Sequence, residues 1–245
     1  MNNRTVNIND ININITDYHG LLHQISSALD NKGRLCIAYT NANSINTSYK
    51  LPELKEYLGR FDIVHPDGIG IKLAANFLYR GSYGGHRFTG SDLYPLLMNE
   101  LIRHNSKVFF FGNTDEVLGR IAGNNHGLQV AGLHNGYSFD DENVISQINS
   151  SQAEILVVGL GTPLQERWTA KNMERISCNV IICVGDGISV IAGTRQRGPA
   201  FLRVIGLEWL YRLLSSPLKY FKRYIIGNPL FLYRIIALKM RKLAG

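Results

Sequence analysis

The stretch Phe61–Asp92 reads FDIVHPDGIGIKLAANFLYRGSYGGHRFTGSD, and its pattern decides the fold class. It opens with a short apolar run that includes Ile63 and Val64, which is typical of a buried strand. Pro66 and the glycines that follow it interrupt this run and predict a tight turn. Apolar residues then return at helical spacing over residues 69–78. The stretch therefore predicts a strand, a turn and a helix, with the carboxylate of Asp67 at the turn.

The same alternation of strand and helix continues along the first 194 residues. Apolar runs of strand character lie at 35–39, 107–111, 128–133, 154–158 and 180–184, and helical patterns separate most of them. This order predicts an α/β fold with a mostly parallel sheet. Ile11–Ile15 alternates apolar and asparagine residues and predicts a half-exposed strand at the edge of that sheet. Further helices are predicted over 51–58 and 114–124.

The last fifth of the chain has a different composition. Residues 195–245 contain seven Arg and four Lys against one acid, whereas residues 1–194 hold 15 basic and 18 acidic residues. Aromatic and basic residues share helical patterns over 201–214, 217–224 and 230–243, which predicts a basic amphipathic appendage. We therefore expect a catalytic or binding domain over 1–194 and a membrane-associating appendage over 195–245. The expected partner of the appendage is an anionic membrane surface, not nucleic acid, although the same aromatic residues would also suit packing against the body.

Cysteine usage and hydropathy indicate a cellular compartment. The three cysteines, Cys36, Cys178 and Cys183, lie in or beside apolar runs, form no CxxC pair and are odd in number. Buried free thiols in a reducing compartment fit this pattern. The first residues lack the features of a signal peptide, and no apolar run is long enough to span a bilayer. We expect a peripheral protein at the cytoplasmic face of the membrane.

Polar and glycine residues follow the predicted strands, and in a parallel sheet such positions meet at one edge, where ligands bind. Backbone N–H groups at glycine turns and helix N-termini attract phosphate. The candidate binding residues at this edge are Thr40, Asn41, Asp67, Gly112, Gly136, Tyr137, Gly159, Gly161 and Asp186. Asp67 and Asp186 each begin a DGI turn after a strand, so either carboxylate could act as a base. An aspartate before glycine is also a common turn residue, which is the simpler interpretation.

Several familiar cofactor patterns are missing or weak. The segment VVGLGTP has a GxG after a strand but lacks the third glycine and the later acidic residue of a dinucleotide site. No D-x-D motif is present and the seven histidines show no ligand spacing, so we expect neither a metal nor another cofactor. An enzyme that uses a nucleotide-sugar must neutralise the diphosphate that leaves. Without a metal, the cations for this would come from side chains. Four of them fall at helical spacing in the appendage: Arg212, Lys219, Lys222 and Arg223.

Three ordered motifs resemble the WecG/TagA/CpsF glycosyltransferase family. They are PDGIG followed by R-x-T-G-x-D, VGLGTPLQERW at 158–168, and GLEWLYRLL at 206–214. The resemblance implies a Rossmann-like α/β fold with helices on both faces of the sheet. It also implies a metal-independent, inverting transfer of a sugar from a UDP-sugar to an undecaprenyl-diphosphate-linked saccharide, in the synthesis of a bacterial surface polysaccharide. The appendage would touch the membrane and complete the active site.

The resemblance also assigns roles to individual residues. It implies that Asp67 is the general base on the acceptor hydroxyl, that Arg87, Gln165 and Asn41 hold substrate, and that Arg197 and Arg212 stabilise the diphosphate. Three departures from the family pattern bear on the donor sugar. Tyr39 stands where the family usually has Thr, with Thr40 one step away; Lys219 and Lys222 replace expected arginines; and the loop 80–86 is longer than usual.

Two other functions stay open at this point. The GLGTP turn would suit an NAD(P)-dependent oxidoreductase, and the basic appendage would suit a non-enzymatic module tethered to a membrane. Nucleotide binding separates the three hypotheses, because only the transferase binds UDP and only the oxidoreductase binds NAD(P). The sequence leaves open the donor sugar, the acceptor saccharide and whether copies of the chain assemble into a homo-oligomer.

Overall fold

Six parallel strands form the central sheet, and a separate antiparallel hairpin precedes them. The computed structural model describes residues 4–81, 83, 87–195 and 198–244. The hairpin strands are β1 (Arg4–Ile8) and β2 (Ile11–Ile15). The sheet strands are β3 (Leu35–Thr40), β4 (Ile63–Pro66), β5 (Lys107–Gly112), β6 (Gln129–His134), β7 (Ile155–Gly159) and β8 (Val180–Cys183), in the spatial order β4-β3-β8-β7-β5-β6. The predicted α/β class with a parallel sheet is confirmed.

Helices connect the strands and cover both faces of the sheet. In the first half they are α1 (Tyr18–Asp30), α2 (Ala42–Lys50), α3 (Glu53–Leu58), α4 (Ile69–Tyr79), α5 (Gly90–Arg103), α6 (Asp115–Leu118) and α7 (Ile121–Asn124). In the second half they are α8 (Asp141–Ser150), α9 (Leu164–Asn172), a 3₁₀ turn (Met173–Arg175), α10 (Gly187–Ile191), α11 (Ala200–Val204), α12 (Glu208–Ser215), α13 (Pro217–Phe221), a π-helical turn (Lys222–Ile226) and α14 (Gly227–Ala244).

Each face of the sheet has its own apolar core. One core joins the sheet to the hairpin and to helices α2, α3, α4, α8 and α9, and the other joins it to α1, α5, α6, α7 and α10. The alternating side chains of β5 show the division, because Phe109 and Phe111 enter the first core and Phe110 enters the second. Cys36, Cys178 and Cys183 are buried and free, as the sequence predicts.

The N-terminal strand prediction needs a correction. Ile11–Ile15 pairs with β1 in a two-stranded sheet instead of joining the main sheet. Asn9 and Asp10 both adopt positive φ at the two-residue turn, which is the backbone geometry that matches the twist of a hairpin. The hairpin still lies beside edge strand β4, since the Asn14 side chain accepts a hydrogen bond from the backbone N–H of Val64 at 2.8 Å.

Several helix boundaries also differ from the predictions. Helix α2 was not predicted, and the predicted helix over 114–124 is two short helices, α6 and α7. The predicted helix over 201–214 is interrupted at Gly206, which has a φ of 83°. The predicted helix over 217–224 ends as α13 at Phe221 and continues as the π-helical turn.

The appendage packs closely on the body. Phe231 and Ile235 of α14 are buried in the core that α4 and the hairpin share. The Asn46 side chain of α2 donates a hydrogen bond to the carbonyl of Gly227 at 2.7 Å, and Arg234 donates to the Asn46 carbonyl at 2.9 Å. The final helix therefore contributes to the main core, and the division of the chain at residue 195 stays a prediction.

Candidate active site

A cavity of about 1080 Å³ opens at the carboxyl edge of the sheet, between the strand-end loops and the appendage. The loops after β3, β4, β7 and β8 form its floor, and helices α4, α12 and α14 form its walls. Of the residues predicted from the sequence, those that line it are Asn41, Asp67, Arg87, Gly161, Asp186, Arg212 and Arg223. The fold therefore brings together residues that lie far apart in the sequence.

Asp67 joins three elements at the cavity floor. Its backbone N–H donates to the carbonyl of Thr40 at the end of β3, at 2.8 Å. One carboxylate oxygen accepts a hydrogen bond from the backbone N–H of Gly90, the first residue of α5, at 3.0 Å. The other accepts from the side-chain amide of Asn41 at 3.3 Å. The carboxylate is therefore oriented by two neutral donors, and among the described residues it forms no ion pair.

Asn41 has a second role that fixes the direction of its amide. Its side-chain oxygen caps helix α2 by accepting from the backbone N–H groups of Asn43 and Ser44, at 3.0 and 3.1 Å. Because the oxygen is engaged at the helix start, the nitrogen must point the other way, toward Asp67. The cap also supports a helix over residues 42–50, which contain few apolar residues.

Two arginines of the appendage helices, Arg212 and Arg223, line the cavity and bring positive charge to it. Arg212 of α12 forms an ion pair with Glu208 at 2.6 Å and donates to the hydroxyl of Ser91 at 3.1 Å. Burial disfavours the charged form of Arg212, but Glu208, Tyr224 and Asp67 together outweigh burial and raise the pKa of the guanidinium. Arg223 also lines the cavity and forms no ion pair among the described residues. Its guanidinium lies 5.6 Å from the centre of the Tyr224 ring.

Asp186 has a cationic partner, unlike Asp67. Arg195 forms an ion pair with it at 2.9 Å, and the Ser189 hydroxyl donates to it at 2.8 Å. Arg195 also donates to the hydroxyl of Tyr220 in α13 at 3.3 Å, which links the turn after β8 to the appendage. Arg195 was not among the residues predicted from the sequence.

Arg87 occupies the mouth of the cavity beside α5. It pairs with Asp92 at 3.5 Å, and the Thr89 hydroxyl donates to the same carboxylate at 2.8 Å. Arg203 of α11 lies 3.8 Å from Asp92 as well. The Asp92 carboxylate thus pairs with Arg87 of the body and with Arg203 of the appendage.

The start of α9 carries a buried polar cluster beneath the cavity. Gln165 is fully buried and accepts a hydrogen bond from the backbone N–H of Gly185 at 2.8 Å, so it links the turns after β7 and β8. Its amide donates to Glu166 at 2.9 Å, and Thr162 donates to the same oxygen at 2.7 Å. Burial raises the pKa of Glu166. Gln165 does not line the cavity, so its side chain positions the turns.

Tyr39, and not Thr40, faces the cavity at the end of β3. Thr40 is fully buried, and its hydroxyl has no hydrogen-bond partner in the described part of the chain. Burial raises the pKa of the Tyr39 phenol, and the carboxylates of Glu166 and Asp67 raise it further. Tyr94 of α5 also lines the cavity and donates to the carbonyl of Val184 at 3.1 Å.

Three predicted glycines lie at the other half of the strand edge, outside the cavity. A Cβ on Gly112 would lie 2.5 Å from the backbone of Gly159, and a Cβ on Gly136 would lie 2.6 Å from the Cα of Gly112. Close approach of the three backbones therefore requires glycine at these positions. Tyr137 follows them and is 79% exposed.

The predicted cationic face of the appendage needs a correction. Lys219 and Lys222 are exposed and do not line the cavity. The helix that was predicted to join them to Arg212 breaks at Ser216, whose φ and ψ are −150° and 70°. Arg223, which shares their predicted face, lines the cavity in their place. Arg197 lies outside the described residues.

The described residues lack both a metal-binding cluster and a membrane-spanning helix. They contain no cluster of three or more His, Cys, Asp and Glu side chains arranged to hold a metal ion. They also contain no helix with the length and apolar character needed to cross a membrane.

Comparison with known proteins identifies the family. The model of the glycosyl transferase WecG/TagA/CpsF family matches residues 6–245. A relative from Bacillus spizizenii is 28% identical over 189 residues, which is 76% of this chain and 72% of the relative. One from Staphylococcus aureus strain MW2 is 28% identical over 218 residues, or 84% of this chain and 82% of the relative. Both are named N-acetylglucosaminyldiphosphoundecaprenol N-acetyl-beta-D-mannosaminyltransferase. The chain belongs to the glycosyl transferase WecG/TagA/CpsF family.

Proposed function

We propose that the protein is an inverting glycosyltransferase that moves a sugar from a UDP-sugar to a saccharide linked to undecaprenyl diphosphate. The observation that carries this proposal is the oriented Asp67 carboxylate on the floor of a cavity that also holds Arg212 and Arg223. The names of the two relatives support the acceptor class, because both act on an undecaprenol diphosphate that carries a sugar. The donor sugar of this chain is not specified by these observations.

Asp67 is the general base in the proposed reaction. The acceptor hydroxyl oxygen attacks the anomeric carbon of the donor sugar while its proton passes to the Asp67 carboxylate. The bond from the anomeric carbon to the diphosphate breaks, and UDP leaves with the electron pair. A single displacement inverts the anomeric configuration and needs one such carboxylate on the face opposite the leaving group. Asp186 suits this role less well, because its charge is already satisfied by Arg195.

In this proposal, arginine side chains neutralise the negative charge of the diphosphates. Arg223 and Arg212 approach from the appendage, and Arg87 and Arg195 approach from the strand-end loops. Guanidinium groups bind phosphate oxygens in a bidentate manner and so stabilise charge as it develops on the leaving group. We expect the donor near Gly161, Asp186 and Arg195, and the acceptor near Asp67 and the appendage.

The proposed location is the cytoplasmic face of the membrane, with peripheral attachment through the appendage. The appendage exposes apolar side chains that include Val204, Leu218 and Phe221, which are 81%, 98% and 51% exposed. Its net charge of +10 over residues 195–245 favours an anionic lipid surface. An acceptor with a polyprenyl chain is found at such a surface, so attachment there would bring enzyme and substrate together.

The replacement Asp67→Asn tests the assignment of the base. We expect a loss in kcat of about 10²–10⁴-fold, the usual contribution of general base catalysis. Asn keeps an oxygen that can accept from the Gly90 N–H, so we expect thermal stability close to that of the wild type. Asp186→Asn is the matched control. A larger loss with Asp186→Asn than with Asp67→Asn would assign the base to Asp186 instead.

Protection from thermal unfolding tests the donor class independently of turnover. A ligand at a hundredfold excess over its dissociation constant stabilises the folded state by about 2.7 kcal/mol. We expect UDP to raise the midpoint of unfolding and NAD(P) to leave it unchanged. Stabilisation by NAD(P) alone would contradict the proposed transferase and favour an oxidoreductase.

A further inference from the structure

The outer part of the cavity is lined by large apolar side chains that remain open to solvent. Leu73 and Phe77 of α4 face Leu232 and Ile236 of α14, and Ile225 closes one side. These five side chains are between 45% and 57% exposed. We call this set the apolar trough. A contiguous row of apolar side chains in contact with water does not stabilise the fold and is typical of a binding surface. The trough is therefore suited to an apolar ligand.

The trough runs directly into the polar part of the cavity. Helix α4 begins two residues after Asp67 and carries Ile69, Leu73 and Phe77 along one side, over about 12 Å at the rise of an α-helix. The cationic side chains of Arg212 and Arg223 line the same cavity. The cavity therefore holds a base, two cations and an apolar surface.

The walls of the trough are held at a fixed spacing. Phe231 of α14 lies against Gly70 of α4, where a Cβ would be 3.5 Å from the phenyl ring. At the far end, Lys239 donates to the carbonyl of Leu78 at 3.1 Å and lies 5.7 Å from the centre of the Phe77 ring. The trough is thus a groove between two helices that pack against each other, and it is already formed in the folded protein.

The geometry points to the first isoprene units of the acceptor lipid as the occupant of the apolar trough, with the acceptor diphosphate on Arg212 and Arg223. This identification of the lipid rests on the proposed function. An isoprenyl diphosphate joins a branched apolar chain directly to two phosphates, and the cavity has an apolar surface for the chain and two arginines for the phosphates. A bilayer surface alone would not need apolar residues inside the same cavity as the base.

Binding of farnesyl diphosphate and of inorganic diphosphate to the full-length protein tests this assignment. Both are measured by calorimetry without detergent or vesicles, below the concentration at which the farnesyl compound forms micelles. We expect farnesyl diphosphate to bind about a hundredfold more tightly than diphosphate, because the chain leaves water when it enters the trough. Equal affinities of the two ligands would overturn the proposal.

Serine replacements of two leucines on helix α14 test whether the farnesyl chain binds in the trough or on the general apolar surface of that helix. Leu232 lines the cavity, whereas Leu243 does not, and both are exposed enough for serine to be tolerated in the fold. We expect Leu232→Ser to lower the preference for the farnesyl compound about tenfold and Leu243→Ser to change it less than about twofold. The affinity for inorganic diphosphate should stay unchanged in both variants. Equal losses in the two variants would place the chain on the general apolar surface of α14 and overturn the proposal.

Transfer activity is a separate measurement in the same preparations. A farnesyl preference that depends on Leu232, in a protein without transferase activity, would support the trough and contradict the proposed reaction. Transferase activity in a protein without that preference would support the reaction and overturn the trough.

Discussion

Replacement of Asn41 separates the two roles that the structure gives this side chain. Asn41→Ala removes both the cap of helix α2 and the amide that donates to Asp67. Asn41→Ser keeps a hydroxyl that can cap helix α2, but serine has no amide group to donate a hydrogen bond to Asp67. The two variants should therefore differ in stability and agree in activity.

The structure sets the magnitude of each effect. Loss of a helix cap costs about 1 kcal/mol, which lowers the melting temperature of a protein of this size by about 2–4 °C. A hydrogen bond to a charged group is worth about 1.5–3 kcal/mol, or roughly tenfold to hundredfold in rate. Because the Gly90 N–H still holds the other carboxylate oxygen, we expect the lower limit, a loss of about tenfold in kcat/KM for both variants.

Thermal unfolding and initial transfer rates measure the two effects on the same protein samples. We expect Asn41→Ser to melt close to the wild type and Asn41→Ala to melt lower. If Asn41→Ser transferred sugar at the wild-type rate, the amide would have no part in orienting Asp67. If both variants lost equal stability, the cap would not be the reason that α2 forms.

Three further predictions follow from other parts of the structure. Burial raises the pKa of Glu166 in the folded protein, so the wild type loses stability as pH rises above the unfolded value of 4.5; Glu166→Gln should therefore lose less melting temperature than the wild type as pH rises from 4.5. Gly112→Ala should lower the free energy of unfolding by about 3 kcal/mol or more in urea titrations, because its Cβ would meet the backbone of Gly159. Arg223→Ala should lower kcat/KM with soluble acceptors by about tenfold or more, whereas Lys222→Ala should change it by less than about twofold; equal losses would contradict the placement of Arg223 in the cavity.

Strong local patterns made much of the fold predictable from the sequence. The apolar run around Ile63, the turn at Pro66 and the helical spacing after Ile69 all specify the same strand, turn and helix, and the structure contains them as β4 and α4. Helix α2 was not found in this way, because most of its residues are polar and its start is marked only by the cap of Asn41.

Predictions within the site were limited by long-range geometry. The sequence indicates that Asp67 and Asn41 follow neighbouring strands, which places them together. It does not indicate that the helix breaks at Ser216 and becomes a π-helical turn at Lys222, so it does not show which cations after Arg212 line the cavity; of Lys219 and Arg223, only Arg223 does. Gln165 was expected to contact substrate, but its partner Gly185 is 20 residues away, on the turn after the neighbouring strand β8.

The burial of Phe231 and Ile235 in the main core has a consequence for synthesis of the protein. Helix α14 is translated after the strands and helices that it covers, so the core beside α4 stays incomplete on the ribosome until these last residues emerge. The same helix supplies Leu232 and Ile236 to the apolar trough and basic residues to the exposed surface. A nascent chain therefore completes its core and forms the apolar trough in one late step, and a chain that stops short of α14 lacks both.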